Sequence, residues 1–225
     1  MEIVTGRGRH RFEIGLLGPH QARNLAHATL AAETLRGLGW ERLDPAAVAT
    51  GARATRWPGR LEVVELPLPE DRGPGGAAGV SAALPRRVLL DVAHNPGAAS
   101  ELAAFLATLP GSVGSRRRAI DLLFGILGDK DAAATLAPLL AATRRRVLTR
   151  PPHERGRDPR EVAALMPPGT DLEIEPDVAA ALEQALTGGA ERPADTLFVC
   201  GSFYLVGAVR GLLRRRFGVP PPTVD

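Results

Sequence analysis

From residue 87 onward the chain alternates short apolar runs with amphipathic segments, and this alternation constrains its fold most. The pattern predicts buried strands at 87–91, within 119–127, and at 146–149, 172–175 and 196–200, each followed by a helix. Strands and helices in this order are typical of an open, mostly parallel α/β sheet with helices on both faces. We therefore predict a Rossmann-like α/β domain, which binds ligands beyond the carboxyl ends of its strands.

The earlier part of the chain lacks this regular alternation. Its sequence predicts a strand over 10–17, helices over 19–38 and 45–54, and a strand over 60–66. Asp44-Pro45 is typical of a helix start, with Asp as the N-cap and Pro in the first helical position. Residues 67–85 are rich in Pro and Gly and nearly free of large apolar side chains, which predicts a flexible loop.

Composition excludes several classes of protein. The 225 residues contain no apolar run of the roughly 18 residues that a membrane-spanning helix needs. Residues 1–10 lack the apolar core of a secretory signal, so we expect a cytoplasmic protein. The pI of about 9.9 reflects 27 arginines and one lysine, but the net charge is only +3 and the arginines are spread along the chain. We therefore expect no nucleic-acid partner. Cys200 is alone and predicted to be buried and reduced.

The segment DVAHNPG at residues 91–97 concentrates polar chemistry at the end of a predicted strand. Asp91 can accept hydrogen bonds from a ribose hydroxyl or an arginine, and His94 can hold an anionic substrate or transfer a proton. Pro96 restricts Asn95 to an extended conformation. Asp91 and Asn95 could equally serve only to cap the following helix, and the local sequence leaves both interpretations open.

Two further strand ends carry polar residues. Gly201 permits a tight turn, and Ser202 is placed either to cap the last helix or to hold a carboxylate or phosphate at its N-terminus. The segment GILGDKD at 125–131 is too short for a phosphate-binding loop, and Asp131 is a candidate helix cap. The histidines lack metal-ligand spacing, so we predict no metal site in this chain.

Five segments in order resemble one enzyme family: LGPHQARN (17–24), WPGRLE (57–62), LDVAHNP (90–96), LGDKD (127–131) and GSFYLVG (201–207). Together they resemble the bacterial folylpolyglutamate synthases and dihydrofolate synthases of the Mur ligase superfamily. The resemblance implies an ATP-dependent ligase of folate biosynthesis and one-carbon metabolism. Such an enzyme activates a carboxylate of folate or dihydropteroate as an acyl phosphate, which the amine of L-glutamate then attacks.

The resemblance also implies roles for individual residues. Asn24, Arg60 and Asp91 match positions of the family's ATP site. His94 and Ser202 match positions of its glutamate pocket, and His94 is the candidate catalytic residue.

Residues 1–45 are expected to be the tail of an ATP-binding domain, and residues 46–225 the C-terminal glutamate-ligase domain. The family's phosphate loop, ending in G-K-S/T, is missing from the sequence. We therefore expect the magnesium ligands to lie in an absent N-terminal domain and the chain to be inactive alone. Two alternatives remain: the C-terminal domain of a peptidoglycan-type Mur ligase, and a non-catalytic module that binds nucleotide or glutamate. The H-Q-x-x-N and GSFYLVG segments favour the folate branch.

Overall fold

A computed structural model describes residues 1–67, 84–109, 120–187 and 194–220. These residues form two compact units, Met1–Leu61 and Glu62–Pro221, and each unit has its own secondary structure and apolar core. The sequence predicts that residues 1–45 and 46–225 belong to two different domains of the family. That assignment stays a prediction.

The first unit consists of a hairpin and two helices: β1 (Glu2–Thr5), β2 (Gly8–Arg11), α1 (His20–Gly37) and α2 (Pro45–Ala54). Both helices lie where the sequence predicted them, and Asp44 caps α2 by accepting a hydrogen bond from the Ala47 amide at 2.7 Å. The small apolar core contains Ile3, Phe12 and Ala52.

The strand predicted over residues 10–17 is wrong in its extent. The strand ends at Arg11, and it pairs antiparallel with Glu2–Thr5, which the sequence did not predict. Beyond Arg11 the chain packs on the end of α2 instead of extending the strand. The Gly15 amide donates to Ala52 O at 3.0 Å, and a Cβ on Gly15 would lie 2.6 Å from two carbonyl oxygens of that segment.

The second unit is the predicted α/β domain. Its described strands are β3 (Glu62–Glu65), β4 (Arg87–Asp91), β5 (Ile120–Phe124), β6 (Arg146–Leu148), β7 (Glu173–Ile174) and β8 (Thr196–Cys200). Its described helices are α3 (Pro96–Thr108), α4 (Ala132–Leu140), α5 (Pro159–Ala164), α6 (Val178–Thr187) and α7 (Phe203–Phe217).

Among the described residues the strands form one sheet of six in the order β3-β4-β8-β5-β6-β7. All neighbours are parallel except β3, which runs antiparallel at the edge beside β4. The predicted mostly parallel sheet is therefore confirmed. The last strand, β8, lies between β4 and β5, so that Asp91, Cys200 and Phe124 lie side by side at the carboxyl ends of the three strands.

Helices cover the sheet because its strands are apolar on both faces. Alternate strand residues such as Val88, Leu90, Leu197 and Val199 join one cluster with the apolar sides of α6 and α7. The helices α3 and α4 pack against each other and follow β4 and β5. The β4-to-β5 and β7-to-β8 connections run in opposite directions across the sheet, and such connections are nearly always right-handed, so α3 and α6 are expected on opposite faces.

The predicted Pro- and Gly-rich loop over 67–85 lies mostly outside the described residues. Its two flanks are described, and they pair with each other. Glu62 lies opposite Leu90, Glu65 lies opposite Arg87, and the Leu66 amide donates to Arg86 O at 3.0 Å. The two strands on either side of this segment, β3 and β4, are therefore in register. None of the described helices is both long and apolar enough to cross a membrane.

An ion pair ties β7 and α6 to the start of β6. The guanidinium of Arg145 forks onto the Glu173 carboxylate, with 2.6 Å between Nη2 and Oε2, and a second bond from Nε to Oε1. Gln184 on α6 donates to Glu173 Oε2 at 2.6 Å and accepts from Arg145 at its carbonyl at 2.7 Å. The Arg145 hydrogen bonds hold the pKa of Glu173 below its ordinary value.

We predict that Glu173→Gln lowers the free energy of unfolding by about 1–3 kcal/mol at pH 7, because it removes a charge-assisted bidentate pair. Since the folded-state pKa of Glu173 is lowered, its contribution is complete above the ordinary glutamate pKa of about 4.3. The contribution is lost as pH falls through the folded-state value. Urea unfolding of wild type and variant at several pH values measures this difference. Glu154→Gln, at an exposed residue, is the matched control, and an equal loss for both variants would contradict the prediction.

Candidate active site

The candidate site lies at the carboxyl ends of β4, β8 and β5. The chain leaves β4 and β5 toward one face of the sheet, and it leaves β8 into α7 on the other face. Neighbouring strands whose connections leave on opposite faces open a crevice between their loops, and ligands of α/β sheets bind there. The topology therefore brings residues 92–95, 125–131 and 201–204 to one edge of the sheet.

The turn after β4 is held by the polar residues that the sequence singled out. Asp91 is 3% exposed, and its Oδ1 accepts from the Ala93 amide at 2.8 Å. Asn95 caps α3 by accepting from the Ala98 amide at 2.9 Å. The capping interpretation is thus confirmed for Asn95, whereas the bond of Asp91 to Ala93 braces the turn that presents His94.

The orientation of His94 follows from its hydrogen bond. The ring Nδ1 is 3.1 Å from Val92 O. Because a carbonyl oxygen can only accept, Nδ1 carries the proton, and Nε2 of the neutral ring has a free lone pair. The ring is half-buried and lies against Phe203, with 5.9 Å between the ring centroids. In its neutral form, His94 therefore presents an acceptor at Nε2 beside the first residue of α7.

The turn after β8 depends on Gly201. This residue has a φ of +109°, and a Cβ there would lie 2.6 Å from Gly125 O and 3.0 Å from the Phe124 ring. Only glycine fits this position without strain. Ser202, 2% exposed, then caps α7 by accepting from the Tyr204 amide at 3.1 Å. The predicted capping role of Ser202 is confirmed.

Cys200 precedes this turn and is fully buried, as predicted. Burial raises the pKa of its thiol well above the ordinary value, and the nearby Asp91 charge acts in the same direction. The sulfur is therefore a protonated thiol at neutral pH, and its role is to fill the core at the end of β8.

The loops after β5 and β6 are joined to each other. The Gly128 amide donates to Arg155 O at 2.8 Å, and Leu127 pairs with Gly156 in an isolated bridge. Asp129 lies 3.1 Å from the Lys130 ammonium and 3.5 Å from the Arg155 guanidinium. The hydrogen bond from Lys130 is the main reason that the pKa of Asp129 is lowered. Asp131 caps α4, as its position in the sequence indicated.

Two aromatic contacts at this edge were not predicted. His153, in the loop after β6, packs on Tyr204 with 4.0 Å between ring centroids, and its Nδ1 accepts from the Arg155 amide at 3.1 Å. Phe203 and Tyr204 are 56% and 43% exposed. His153 is separated from Tyr204 by 51 residues of sequence, so no local pattern indicated the contact. These rings form the outer surface beside Ser202.

The two remaining predicted site residues belong to the first unit. Asn24 is exposed near the start of α1, and its amide donates to Gln21 Oε1 at 3.0 Å. Arg60 is half-buried in a turn in which its amide donates to Trp57 O at 3.2 Å. The structure thus brings Asp91, His94 and Ser202 to one edge, while Asn24 and Arg60 are described within their own unit.

No group of three or more His, Cys, Asp or Glu side chains among the described residues is arranged to hold a metal ion. The ATP-site roles of Asn24, Arg60 and Asp91 stay a prediction. Their side chains offer, respectively, an amide donor and acceptor, a guanidinium, and a carboxylate that can accept hydrogen bonds.

Comparison with known proteins identifies the family to which this chain belongs. The family model described as "Mur ligase, glutamate ligase domain" matches residues 80–203, which include the whole β4–β8 part of the sheet. The chain therefore belongs to the Mur ligase family and contains its glutamate ligase domain.

Individual proteins of the family are similar to most of this chain. A probable bifunctional folylpolyglutamate synthase/dihydropteroate synthase of Halobacterium salinarum is 32% identical over 207 residues, which are 91% of this chain and 22% of that protein. The structure of Escherichia coli FolC in complex with DHPP and ADP superposes with a TM-score of 0.70 at 26% identity, over 95% of this chain and 43% of that one.

A relative from a different branch is also similar. The UDP-N-acetylmuramoyl-L-alanyl-D-glutamate–2,6-diaminopimelate ligase of Parasynechococcus marenigrum is 32% identical over 206 residues, which are 88% of this chain and 36% of that ligase. The chain thus spans less than half the length of each of these three proteins.

We predict that Gly201→Ala destabilises the second unit by about 2–4 kcal/mol, through backbone strain and the clash with Gly125 O. Gly207→Ala is the matched control. It lies on the exposed side of α7 with open space around its Cα, so alanine there should stabilise by up to about 1 kcal/mol. Chemical unfolding of both variants measures the difference. A Gly201→Ala variant as stable as wild type would contradict the geometry of the turn.

Proposed function

We propose that the chain supplies the C-terminal, glutamate-ligase part of an ATP-dependent ligase that adds L-glutamate to folate or dihydropteroate. The enzyme would be a folylpolyglutamate synthase, a dihydrofolate synthase or both. One observation carries the proposal. The glutamate ligase domain of this chain brings Asp91, His94 and Ser202 to one sheet edge, at the position where α/β domains bind ligands.

The glutamate side of the reaction is proposed for His94 and Ser202. Nε2 of the neutral His94 ring is an acceptor that can orient the α-amine of glutamate and take up a proton when the amine attacks. Ser202 stands at the N-terminus of a 15-residue helix, whose first amides and dipole favour a carboxylate. The exposed Phe203 and Tyr204 rings would form the wall of this pocket.

The nucleotide side is proposed for Asn24, Arg60 and Asp91. The phosphoryl group that activates the acceptor carboxylate would come from ATP. Arg60 would neutralise charge that develops on this group, and Asn24 would read an adenine edge. Asp91, a buried carboxylate at the end of β4, would accept a hydrogen bond from a ribose hydroxyl.

The domain roles belong to the same proposal. Residues 1–45 are proposed as the tail of an ATP-binding domain, and residues 46–225 as the glutamate-ligase domain. Magnesium ligands are assigned to no residue of this chain, because no suitable cluster exists among the described residues. The sequence also contains no G-x-x-x-x-G-K-S/T loop to hold the β- and γ-phosphates.

We predict that the purified 225-residue chain alone releases no glutamate-dependent ADP when given ATP, magnesium and either folate or dihydropteroate. The physical reason is the missing phosphate loop, without which the transferred group is not positioned. A coupled ADP assay, with a blank that lacks the folate substrate, measures this. ADP release above the blank would contradict the predicted inactivity while leaving the ligase assignment intact.

We predict that Ser202→Ala and His94→Ala each weaken L-glutamate binding to the chain about 10- to 150-fold, the cost of one hydrogen bond to a charged group. Calorimetry in the presence of ADP measures the affinity. Ser100→Ala, at an exposed position on α3, is the matched control and should leave binding unchanged. A melting curve for each variant separates binding from stability. A lower melting temperature with unchanged glutamate affinity would show that Ser202 and His94 only cap and brace their turns.

A second candidate is a peptidoglycan-type Mur ligase, favoured by the 32% identity to the diaminopimelate ligase. The same titration distinguishes the two functions. Tighter binding of 2,6-diaminopimelate than of L-glutamate would support the second candidate, and the reverse order would support the folate branch.

A further inference from the structure

The first unit contains a cavity of about 380 Å³ that neither the ligase chemistry nor the relatives assign. It lies between the β1–β2 hairpin, α1 and the start of α2, on residues of the first unit only. Cavities of this size that combine an apolar wall with a few convergent polar groups are typical of small-molecule sites.

The cavity holds one carboxylate with a fixed orientation. Glu33 Oε1 accepts from Thr5 Oγ1 at 2.8 Å and lies 2.8 Å from His10 Nε2. The Thr5 hydrogen bond is the main reason that the pKa of Glu33 is lowered, so the side chain is ionised at neutral pH. Both contacts use the same oxygen. The second oxygen, Oε2, makes no hydrogen bond with the described residues and is available to a ligand.

Two guanidinium groups face the same space. Arg7 reaches across α1 and donates to Glu33 O, and a Cβ on Gly37 would lie 3.0 Å from its Nη1. Gly37 thus leaves room for Arg7 to lie over the last turn of the helix. Arg36, on that turn, lines the cavity, and its guanidinium has no ion-pair partner among the described residues. A negatively charged ligand group would therefore meet one or two arginines.

The remaining wall is apolar and is formed by Phe12, Ala32, Leu43 and Val48. A ligand that complements this lining carries a cationic group for Oε2 of Glu33, an anionic group for Arg36 and Arg7, and an apolar body. A simple anion would be repelled by Glu33, and a simple amine would be repelled by the arginines.

The distribution of charge agrees with a site that needs an anionic group. Residues 1–61 contain nine arginines and five carboxylates, whereas the rest of the chain has 20 acidic residues and 19 basic ones. The positive excess of the chain therefore belongs to the unit that contains the cavity.

We propose that this cavity binds a free α-amino acid with an apolar side chain, as a site separate from the ligase chemistry. Glu33 accepts hydrogen bonds from the α-ammonium group, Arg36 and Arg7 hold the α-carboxylate, and the side chain packs against Phe12, Leu43 and Val48.

The probes are L-leucine, leucinol, which lacks the carboxylate, and 4-methylpentanoate, which lacks the amine. Calorimetric titration of the full 225-residue chain should show leucine binding, with each analogue at least about tenfold weaker, because each loses a charge-assisted contact. Absence of leucine binding, or equal binding of the three compounds, would overturn the proposal.

Arg36→Gln should weaken leucine binding about tenfold or more and leave leucinol binding unchanged. Arg42→Gln, an exposed arginine of the same unit that does not line the cavity, should change neither. Glu33→Gln should weaken the binding of leucine but not the binding of 4-methylpentanoate. If Glu33→Gln fails to fold, Arg36→Gln and the comparison of leucine, leucinol and 4-methylpentanoate still test the proposed site. An equal effect of Arg36→Gln and Arg42→Gln would overturn the proposed site.

Ser202→Ala separates this site from the proposed glutamate pocket. Leucine binding should be the same in this variant as in wild type, whatever happens to glutamate binding. If Ser202→Ala abolishes leucine binding, the amino acid binds at the edge of the second unit, and the cavity proposal is wrong.

Discussion

The position of β8 between β4 and β5 is the constraint on which the rest of the second unit depends. This strand forms hydrogen-bonded ladders on both sides, and it is buried along its whole length. Because β8 pairs in parallel with both neighbours, the strand ends at Asp91, Cys200 and Phe124 are level. A shift of one residue in either ladder would turn the side chains of β8 to the wrong face of the sheet. The turn at Gly201 and the cap at Ser202 therefore keep their places only while this register holds.

The close approach of Gly201 to Gly125 shows how tightly the carboxyl ends of β8 and β5 are packed. Backbone meets backbone here, and the Gly125 amide donates to Cys200 O at 3.2 Å. The Phe124 ring closes the same space, 3.0 Å from where a Cβ on Gly201 would lie, so no side chain larger than that of glycine fits at residue 201 without strain.

Much of this arrangement could be predicted from local sequence. The β4 and β8 strands were predicted to their observed limits, because RVLLD and TLFVC are short apolar runs with polar or glycine residues at their ends. The α2 helix was equally clear from Asp44-Pro45. The β1–β2 hairpin was missed because its strands have four residues each and show little apolar alternation. The contacts of Phe203 with His94 and of Tyr204 with His153 depend on tertiary packing, which no local pattern reveals.

We propose above all that the β4 and β8 turns together form an amino-acid site. The most direct measurement is a map of backbone amide chemical shifts of the isotope-labelled chain during titration with L-glutamate in the presence of ADP. We expect the largest shift changes on residues 92–95 and 201–204, and smaller changes in 125–131. Changes confined to residues 1–61, or none at saturating glutamate, would contradict the proposal.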